Sequence, residues 1–240
     1  MPEMTRPDLI LTCEHGGNRI PAAYQAAFRN AEQALQSHRG YDPGALVLAR
    51  RLSRRLQAPL FYETRSRLLI ELNRSLHHPR LFSEFSRSLP ASRLTQLIEG
   101  IYQPYRQQVI QALGDRTSRQ PVVHLSVHSF TSMMKGRTRR TDLGLLFDPA
   151  RKFELEFCTR WRALLRQALP GRNVHFNLPY RGTSDGFTTL LRTCFADECY
   201  AGIELEVNQK FPLGNTAEWQ ALQTVLATTL KSVLSHSGSS

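Results

Sequence analysis

Acidic and imidazole side chains follow apolar segments at four places in this 240-residue chain. They are His15, Asp42, His128 and two neighbouring glutamates, Glu204 and Glu206. If the apolar segments are strands of an α/β sheet, these residues lie in the end loops, where ligands and metals bind. Two histidines, a carboxylate and a further glutamate are the groups that mononuclear zinc hydrolases use. The pattern therefore predicts a hydrolytic metal site.

Two of these positions have alternative interpretations. Asp42 precedes Pro43, so it could cap a helix whose first residue is the proline, and a carboxylate with two oxygens could both cap and ligate. His124 lies four residues before His128 on one strand face, about 13 Å away, so one ion cannot bind both. We choose His128 because it is nearer the carboxyl end of the strand, and we predict that His124 is a core histidine.

Glu204 and Glu206 share one face of the last predicted strand, because side chains alternate along a strand. Two carboxylates on a buried face need partners, since their desolvation is costly. Glu206 is nearer the carboxyl end and is the better candidate for the general base. Glu204 could instead pair with an interior arginine.

Candidate substrate-binding residues follow other strand ends. Asn73 and Arg74 end a predicted strand. An arginine there can hold a substrate carboxylate with two hydrogen bonds, or it can pair with Glu71 or with a helix end. Tyr180 and Arg181 lie in a Pro/Gly loop and could supply an oxyanion donor or a substrate contact. With Glu204, these residues form the predicted substrate site.

The elements that position these residues alternate between strands and helices. This alternation predicts an α/β fold, a three-layer sandwich with a mainly parallel mixed sheet, in a single domain over residues 1–240. The predicted strands cover residues 9–13, 59–62, 68–72, 121–128, 143–147, 173–177 and 200–207. The predicted helices cover residues 21–36, 43–56, 80–113 (broken near Pro90 and Pro104), 153–169 and 217–234, and a further helix begins at about residue 187. A frayed tail is predicted at 235–240.

Composition narrows the class of protein. The chain is 41% hydrophobic, so a sizeable core is expected, while no apolar run reaches the ~20 residues of a transmembrane helix. An N-terminus without an apolar signal region, and four cysteines without a Cys-x-x-Cys pair, predict a cytoplasmic protein with reduced thiols. The net charge of +11 suits nucleic acid or an anionic small substrate. The densest basic segment, residues 135–140, has no interleaved aromatic residues, so we interpret it as a solvated loop.

The chain resembles the N-formylglutamate amidohydrolase family. The matching segments occur in one order through most of the chain: 12–18 (TCEHGGN), 20–21 (IP), 42–45 (DPGA), 69–74 (LIELNR), 127–130 (VHSF), 142–146 (DLGLL), 177–180 (NLPY) and 203–209 (IELEVNQ). The resemblance implies a fold like that of zinc carboxypeptidases and bacterial cell-wall amidases. It implies that His15, Asp42 and His128 are the metal ligands and that Glu206 is the general base.

The resemblance also shows departures from the related enzymes. Carboxypeptidases place their carboxylate ligand three residues after the first histidine, and that position is Asn18 here. In the cell-wall amidases the carboxylate opens the next helix, where Asp42 lies, so Asp42 is preferred and the choice stays open. The Asn73–Arg74 pair resembles the pair with which carboxypeptidases hold the substrate carboxylate.

The function implied by the resemblance is zinc-dependent hydrolysis of a small anionic N-acyl amino acid, as in histidine degradation. The best candidate substrate is N-formyl-L-glutamate, cleaved to formate and L-glutamate, although the Cys-Glu-His-Gly-Gly-Asn opening indicates a side branch of the family. Another divalent ion could occupy an N/O ligand set. The alternatives are a related zinc peptidase or cell-wall amidase and, from another class, a basic nucleic-acid-binding protein. The sequence does not predict an oligomeric state.

Overall fold

A computed structural model describes residues 6–235 and contains a six-stranded sheet in the order β2-β1-β3-β8-β6-β7. Strands β2, β1, β3 and β8 are parallel, β6 is antiparallel to β8, and β7 is parallel to β6. The strands are β1 (Asp8–Cys13), β2 (Leu60–Tyr62), β3 (Val122–Phe130), the short β4 (Met133–Met134) and β5 (Arg137–Thr138) of a separate hairpin, β6 (Leu143–Leu146), β7 (Val174–Phe176) and β8 (Tyr200–Asn208). The predicted α/β architecture with a mainly parallel mixed sheet is therefore confirmed.

Helices cover both faces of the sheet, which is why all nine residues of β3 are buried. Helices α2, α5 and α7 pack on one face, and α3, α4 and α6 pack on the other. The helices are α1 (Glu32–Leu35), α2 (Ala45–Leu56), α3 (Ala91–Leu97), α4 (Gln103–Thr117), α5 (Lys152–Ala168), α6 (Phe187–Cys194) and α7 (Thr216–Ser235), with a 3-10 segment (Ala22–Phe28) and a π-helical turn (Ile98–Tyr102). No helix within residues 6–235 has the length and apolar character needed to cross a bilayer.

Side-chain alternation sorts the central strands into an apolar face and a polar face. On β3 and β8 the residues Val123, Leu125, Ile203 and Leu205 belong to the core under α2, α5 and α7. The residues between them, including His124, Ser126, His128, Glu204 and Glu206, therefore point toward the α3, α4 and α6 layer. Because β3 and β8 run parallel, with His128 opposite Glu206, the carboxyl ends of both strands open on the same side.

One predicted strand is wrong. Residues 68–72 form no strand, although Leu69 is fully buried and Leu68, Ile70 and Leu72 nearly so. The segment is held instead by irregular contacts: the Glu71 amide donates to the Leu81 carbonyl, and the Ser83 hydroxyl donates to the Leu68 carbonyl. The apolar run thus indicates that the segment is buried, not that it pairs in the sheet. A short apolar run alone does not distinguish a strand from another kind of buried segment.

Two helical predictions also differ in detail. Residues 21–36 form only the 3-10 segment and the four-residue α1, because few of their side chains reach the core and helices are stabilised mainly by such packing. The predicted helical stretch 80–113 begins at Ala91, after Pro90. Pro104 does not interrupt it, since Pro104 lies in the first turn of α4, where its missing N–H costs little. The predicted tail lies outside the described residues, apart from Ser235, which ends α7.

His124 is a core histidine in the structure. It is fully buried, and its ring nitrogens lie 2.9 Å from the Thr12 hydroxyl and 2.8 Å from the Tyr200 hydroxyl. Burial lowers the pKa of His124 to about 4, because desolvation disfavours the charged imidazolium.

This pKa predicts acid sensitivity. Between pH 6.5 and pH 4 an unfolded histidine binds a proton that His124 in the native state does not, so the free energy of unfolding decreases as the pH falls. At pH values below 4 the decrease in the free energy of unfolding due to His124 reaches about 3 kcal/mol. At pH 7 there is no decrease, because the histidine is neutral in both the folded and the unfolded state. We expect His124→Gln to lose this part of the pH dependence in denaturant titrations at a series of pH values. Identical pH dependence in wild type and variant would contradict this prediction.

Candidate functional site

Three buried side chains converge at the carboxyl end of the sheet. The Asp42 Oδ2 oxygen lies 3.3 Å from His15 Nδ1 and 2.9 Å from His128 Nδ1. His15 comes from the loop after β1, Asp42 from the segment before α2, and His128 from the end of β3. One donor atom from each residue lies within 4.8 Å of the other two. The structure thus brings together the three residues that the sequence nominated as metal ligands.

The helix-capping interpretation of Asp42 is wrong. Helix α2 begins at Ala45, and its N-cap is Gly44 with φ of +81°, so Pro43 is not the first helical residue. No side chain caps this helix. The Asp42 carboxylate instead accepts from the two histidines, from the Ser129 amide and from Arg67. It is therefore directed toward the cluster rather than toward the helix.

The second ring nitrogen of each histidine is held by a carboxylate. His15 Nε2 lies 2.5 Å from Glu71 Oε1, and His128 Nε2 lies 3.3 Å from Glu14 Oε2 and 2.8 Å from the Ser126 hydroxyl. Metal-binding histidines usually donate their remaining N–H to such a partner, which fixes the ring orientation. The donor set and its surroundings therefore fit a divalent metal ion such as zinc.

The buried carboxylates stay ionised because cations and donors surround them. Burial raises the pKa of Asp42 and Glu71, but the charges of His15 and Arg67 hold both pKa values well below their usual range. The Arg67 guanidinium lies 3.3 Å from Asp42 Oδ1 and 2.6 Å from Glu71 Oε2, and so joins the two carboxylates. Burial lowers the pKa of His128, but its hydrogen bonds with Asp42 and Glu14 raise it well above 6.5.

Glu14, Arg67 and Glu71 were not nominated as site residues from the sequence. Glu14 directly precedes His15, and Glu71 precedes Asn73 by two residues, so their proximity to nominated residues was the available signal. Arg67 and Glu71 are four residues apart, a spacing that suggests a helix pair, yet the segment is not helical. The failed strand prediction at 68–72 hid this arrangement.

Glu206 is a buried carboxylate without a hydrogen bond at one oxygen. Within residues 6–235 its Oε2 atom has no hydrogen-bond partner. Burial raises the pKa of Glu206 to about 8, and the nearby charges of Asp42 and Glu204 add to the increase. Its neighbour Glu204 does not pair with an arginine as anticipated; it accepts a hydrogen bond of 2.9 Å from the Thr188 hydroxyl.

A cavity of about 770 Å³ opens over the cluster. It is lined by His15, Asp42, His128 and Glu206, and by every nominated substrate-binding residue, namely Asn73, Arg74, Tyr180, Arg181 and Glu204. Gly144, opposite Glu206 in the sheet, lets the 177–182 loop approach, because a Cβ there would lie 2.1 Å from the Leu178 carbonyl. This contact brings Tyr180 and Arg181 to the cavity.

The structure excludes one of the alternatives for Arg74, its pairing with Glu71. The Glu71 carboxylate is occupied by His15 and Arg67, so the proposed Arg74–Glu71 pair is wrong. Arg74 donates to the Asp185 carbonyl and faces the cavity. Asn73 accepts from the Phe187 amide at 2.7 Å, and its Nδ2 lies 3.5 Å from His128 Nε2.

Comparisons with known proteins show the family to which this chain belongs. The sequence profile of the N-formylglutamate amidohydrolase family matches residues 8–211. This chain belongs to that family. Among curated proteins no sequence matches significantly.

Solved structures share the fold. A gene product of Agrobacterium tumefaciens is 26% identical, with a TM-score of 0.81 over 96% of this chain and 91% of the other. An N-formylglutamate amidohydrolase from Ralstonia eutropha JMP134 is 19% identical, with a TM-score of 0.70 over 96% and 94%. Family membership identifies the chain as an amidohydrolase-type protein.

The cluster predicts stoichiometric metal binding. We expect one divalent ion per chain in wild type and its loss in His128→Ala, because removal of one of three protein ligands abolishes a small tetrahedral site. The measurement is elemental analysis of the purified proteins, with circular dichroism to confirm that the variant is folded.

His124→Gln is the matched control, since His124 lies on the same strand face but binds Thr12 and Tyr200. This variant should retain the ion. Stoichiometric metal in His128→Ala, or metal loss in both variants, would remove His128 from the ligand set.

Proposed function

We propose that this chain is a zinc-dependent amidohydrolase that cleaves an N-acyl acidic amino acid, with N-formyl-L-glutamate as the best candidate substrate. One observation supports this most directly: a buried carboxylate with an unpartnered oxygen, Glu206, faces His128 of the His15, Asp42 and His128 cluster. Family membership and the likeness to the Ralstonia N-formylglutamate amidohydrolase favour the formyl substrate.

In this proposal His15 Nδ1, Asp42 Oδ2 and His128 Nδ1 hold the zinc ion. When bound, zinc supplies Lewis-acid chemistry that polarises an amide carbonyl and lowers the pKa of water to near 7. Glu71 and Glu14 fix the histidine rings from behind, and Arg67 balances the excess negative charge of Asp42 and Glu71. The three residues would hold the ion at the cavity, where a substrate can enter.

Glu206 is the general base in this proposal. Its Oε2 oxygen is free to accept a proton from the attacking water and then to pass that proton to the leaving amine nitrogen. The pKa of about 8 applies without a neighbouring metal cation. Glu206 would be ionised more readily beside a cation held by the cluster, because a nearby positive charge lowers the pKa of a carboxyl group, and it could then accept a proton near neutral pH.

The arginines of the cavity wall recognise the amino-acid part of the substrate. Arg74 is oriented through its hydrogen bond to the Asp185 carbonyl, and among residues 6–235 the Arg181 guanidinium makes no hydrogen bond or ion pair that would compete for a ligand. Both can bind substrate carboxylates, while Asn73 and Tyr180 add polar contacts. Formate and L-glutamate are the expected products, made by one catalytic domain acting in the cytoplasm in histidine breakdown.

The role of Glu206 predicts a large loss of turnover without a loss of metal. Glu206→Gln keeps the side-chain shape but cannot accept the proton, so kcat should fall by roughly 10²–10⁴ while metal content stays stoichiometric. Glu204→Gln, on the same strand face, is the matched comparison and should lose far less turnover. If Glu204→Gln shows the larger loss, the base is Glu204.

The role of Arg74 predicts a loss that depends on the substrate. Arg74→Lys should reduce kcat/KM for N-formyl-L-glutamate by about tenfold or more, because lysine cannot reproduce the planar two-donor fork. For a substrate analogue with that carboxylate amidated, the same variant should change kcat/KM little. An equal loss for both substrates, accompanied by a lower melting temperature, would show that Arg74 is only structural.

A further inference from the structure

The cavity is large for the best candidate substrate. N-formyl-L-glutamate has about a dozen non-hydrogen atoms, whereas cavities of ~300–1,000 Å³ are typical for ligands of drug size. At about 770 Å³ this cavity can hold a considerably longer molecule. The residues at its outer edge should therefore indicate which chemistry the additional length carries.

Three arginines line the outer part of the cavity around a single glutamate. Arg39 forms an ion pair with Glu84, and Arg80 and Arg87 come from the same surface segment as Glu84. We call Arg39, Arg80 and Arg87 the outer arginine cluster. The hydrogen bond from Arg39 lowers the pKa of Glu84, and the charge of Arg87 adds to the effect, so the glutamate is ionised and offsets one of the three positive charges.

Much of the donor capacity of this cluster is unused. Among residues 6–235 the Arg80 guanidinium has no hydrogen bond or ion pair. Arg87 makes only long contacts with backbone carbonyls, 3.3 Å to Pro79 and 3.5 Å to Phe82. Guanidinium groups with free N–H donors bind carboxylates in a two-donor geometry. Two arginines are thus available for an anionic ligand.

The outer cluster is attached directly to the candidate catalytic centre. Leu81, next to Arg80, accepts a backbone hydrogen bond of 2.9 Å from Glu71, and the Glu71 carboxylate contacts His15. The Ser83 hydroxyl also donates to the Leu68 carbonyl at 2.5 Å. These contacts fix the arginine-bearing segment at the side of the site, so one ligand can reach both places.

The electrostatic potential on this side of the cavity is also positive. Burial lowers the pKa of His38, and the charges of Arg67, Arg139 and Arg39 lower it further. Several cations thus act on the same cavity wall. An anionic ligand there would reduce the repulsion among them.

We propose that the outer arginine cluster binds an additional anionic group of the substrate, so that the preferred substrate is an N-acyl acidic amino acid carrying at least one carboxylate beyond those of the amino acid itself. This inference rests on the proposed amidohydrolase function. The additional carboxylate can lie on the amine side, as in an N-acyl acidic dipeptide, or on the acyl side, as in a dicarboxylic acyl group. Both present the same chemistry to Arg80 and Arg87.

The test compares substrates with and without the extra charge. For the amine side the pair is N-formyl-L-glutamyl-L-glutamate and N-formyl-L-glutamyl-L-glutamine; for the acyl side it is N-glutaryl-L-glutamate and N-pentanoyl-L-glutamate. The first member of each pair has one more carboxylate and is called the charged member, and the second, which has a neutral group at that position, is called its neutral partner. We expect the charged member of at least one pair to have a kcat/KM at least tenfold above its neutral partner and above N-formyl-L-glutamate. No preference in either pair would overturn the proposal.

A double variant, Arg80→Gln with Arg87→Gln, tests whether these arginines cause the preference. It should reduce the charged-to-neutral ratio of kcat/KM by roughly tenfold or more, as expected for loss of charge-assisted hydrogen bonds. The matched control is Arg54→Gln with Arg55→Gln, which removes the same two charges from α2, outside the cavity lining. An equal fall of the ratio in both double variants would attribute the preference to overall charge and overturn the assignment.

Equilibrium binding separates failure of this inference from failure of the proposed function. Calorimetric titration of zinc-loaded Glu206→Gln with the same substrates measures binding without turnover. Hydrolysis of N-formyl-L-glutamate by wild type without any preference for the charged members would retain the function and reject the outer subsite. The charged members could bind Glu206→Gln more tightly than their neutral partners, and this difference could disappear when Arg80→Gln and Arg87→Gln are added. That result would support the outer subsite even if wild type hydrolysed none of these substrates.

Discussion

The candidate site depends on burying several charges of both signs on one face of the central sheet. Asp42 contacts two histidines, and Arg67 contacts both Asp42 and Glu71. A buried charge without a partner costs several kcal/mol, so each of these groups constrains the position of the next. The chain satisfies the network with residues from four separate segments, 14–15, 42, 67–71 and 126–129, which explains why the segment around 68–72 is irregular. A regular strand there would direct its backbone groups to a sheet neighbour instead of to Leu81.

Within this network Glu206 is the exception. Its neighbours on the sheet are arranged for charge compensation, yet its own Oε2 oxygen is left without a partner, and its pKa rises accordingly. Protein interiors seldom leave a carboxylate oxygen unpaired unless something outside the chain completes the contact. A cation in the adjacent cluster and a substrate in the cavity are both able to do so. Because desolvation raises the pKa of Glu206, the protonation state of this carboxyl group responds to a charge that binds beside it.

Much of the fold and part of the site could be predicted from the sequence. The alternation of apolar strands with helices gave the mainly parallel sheet, because both periodicities are local properties of the chain. His15, Asp42 and His128 were identifiable because strand ends of a parallel sheet meet at one edge. Glu14, Arg67 and Glu71 were not, because their importance arises from contacts between distant segments. Similarly, nothing local distinguishes a buried irregular run such as 68–72 from a buried strand.

The two parts of the cavity differ in how strongly the fold fixes them. His15, Asp42 and His128 are buried, and each has several partners, so substituting one of them leaves others uncompensated. The outer arginines are exposed, and Arg80 and Arg87 have few contacts to lose. A change there alters the electrostatics of recognition with little cost to folding, since exposed charges contribute little to stability. The chemistry is thus held by a rigid, interdependent centre, while the extent and charge of the ligand are set by residues that can vary nearly independently of it.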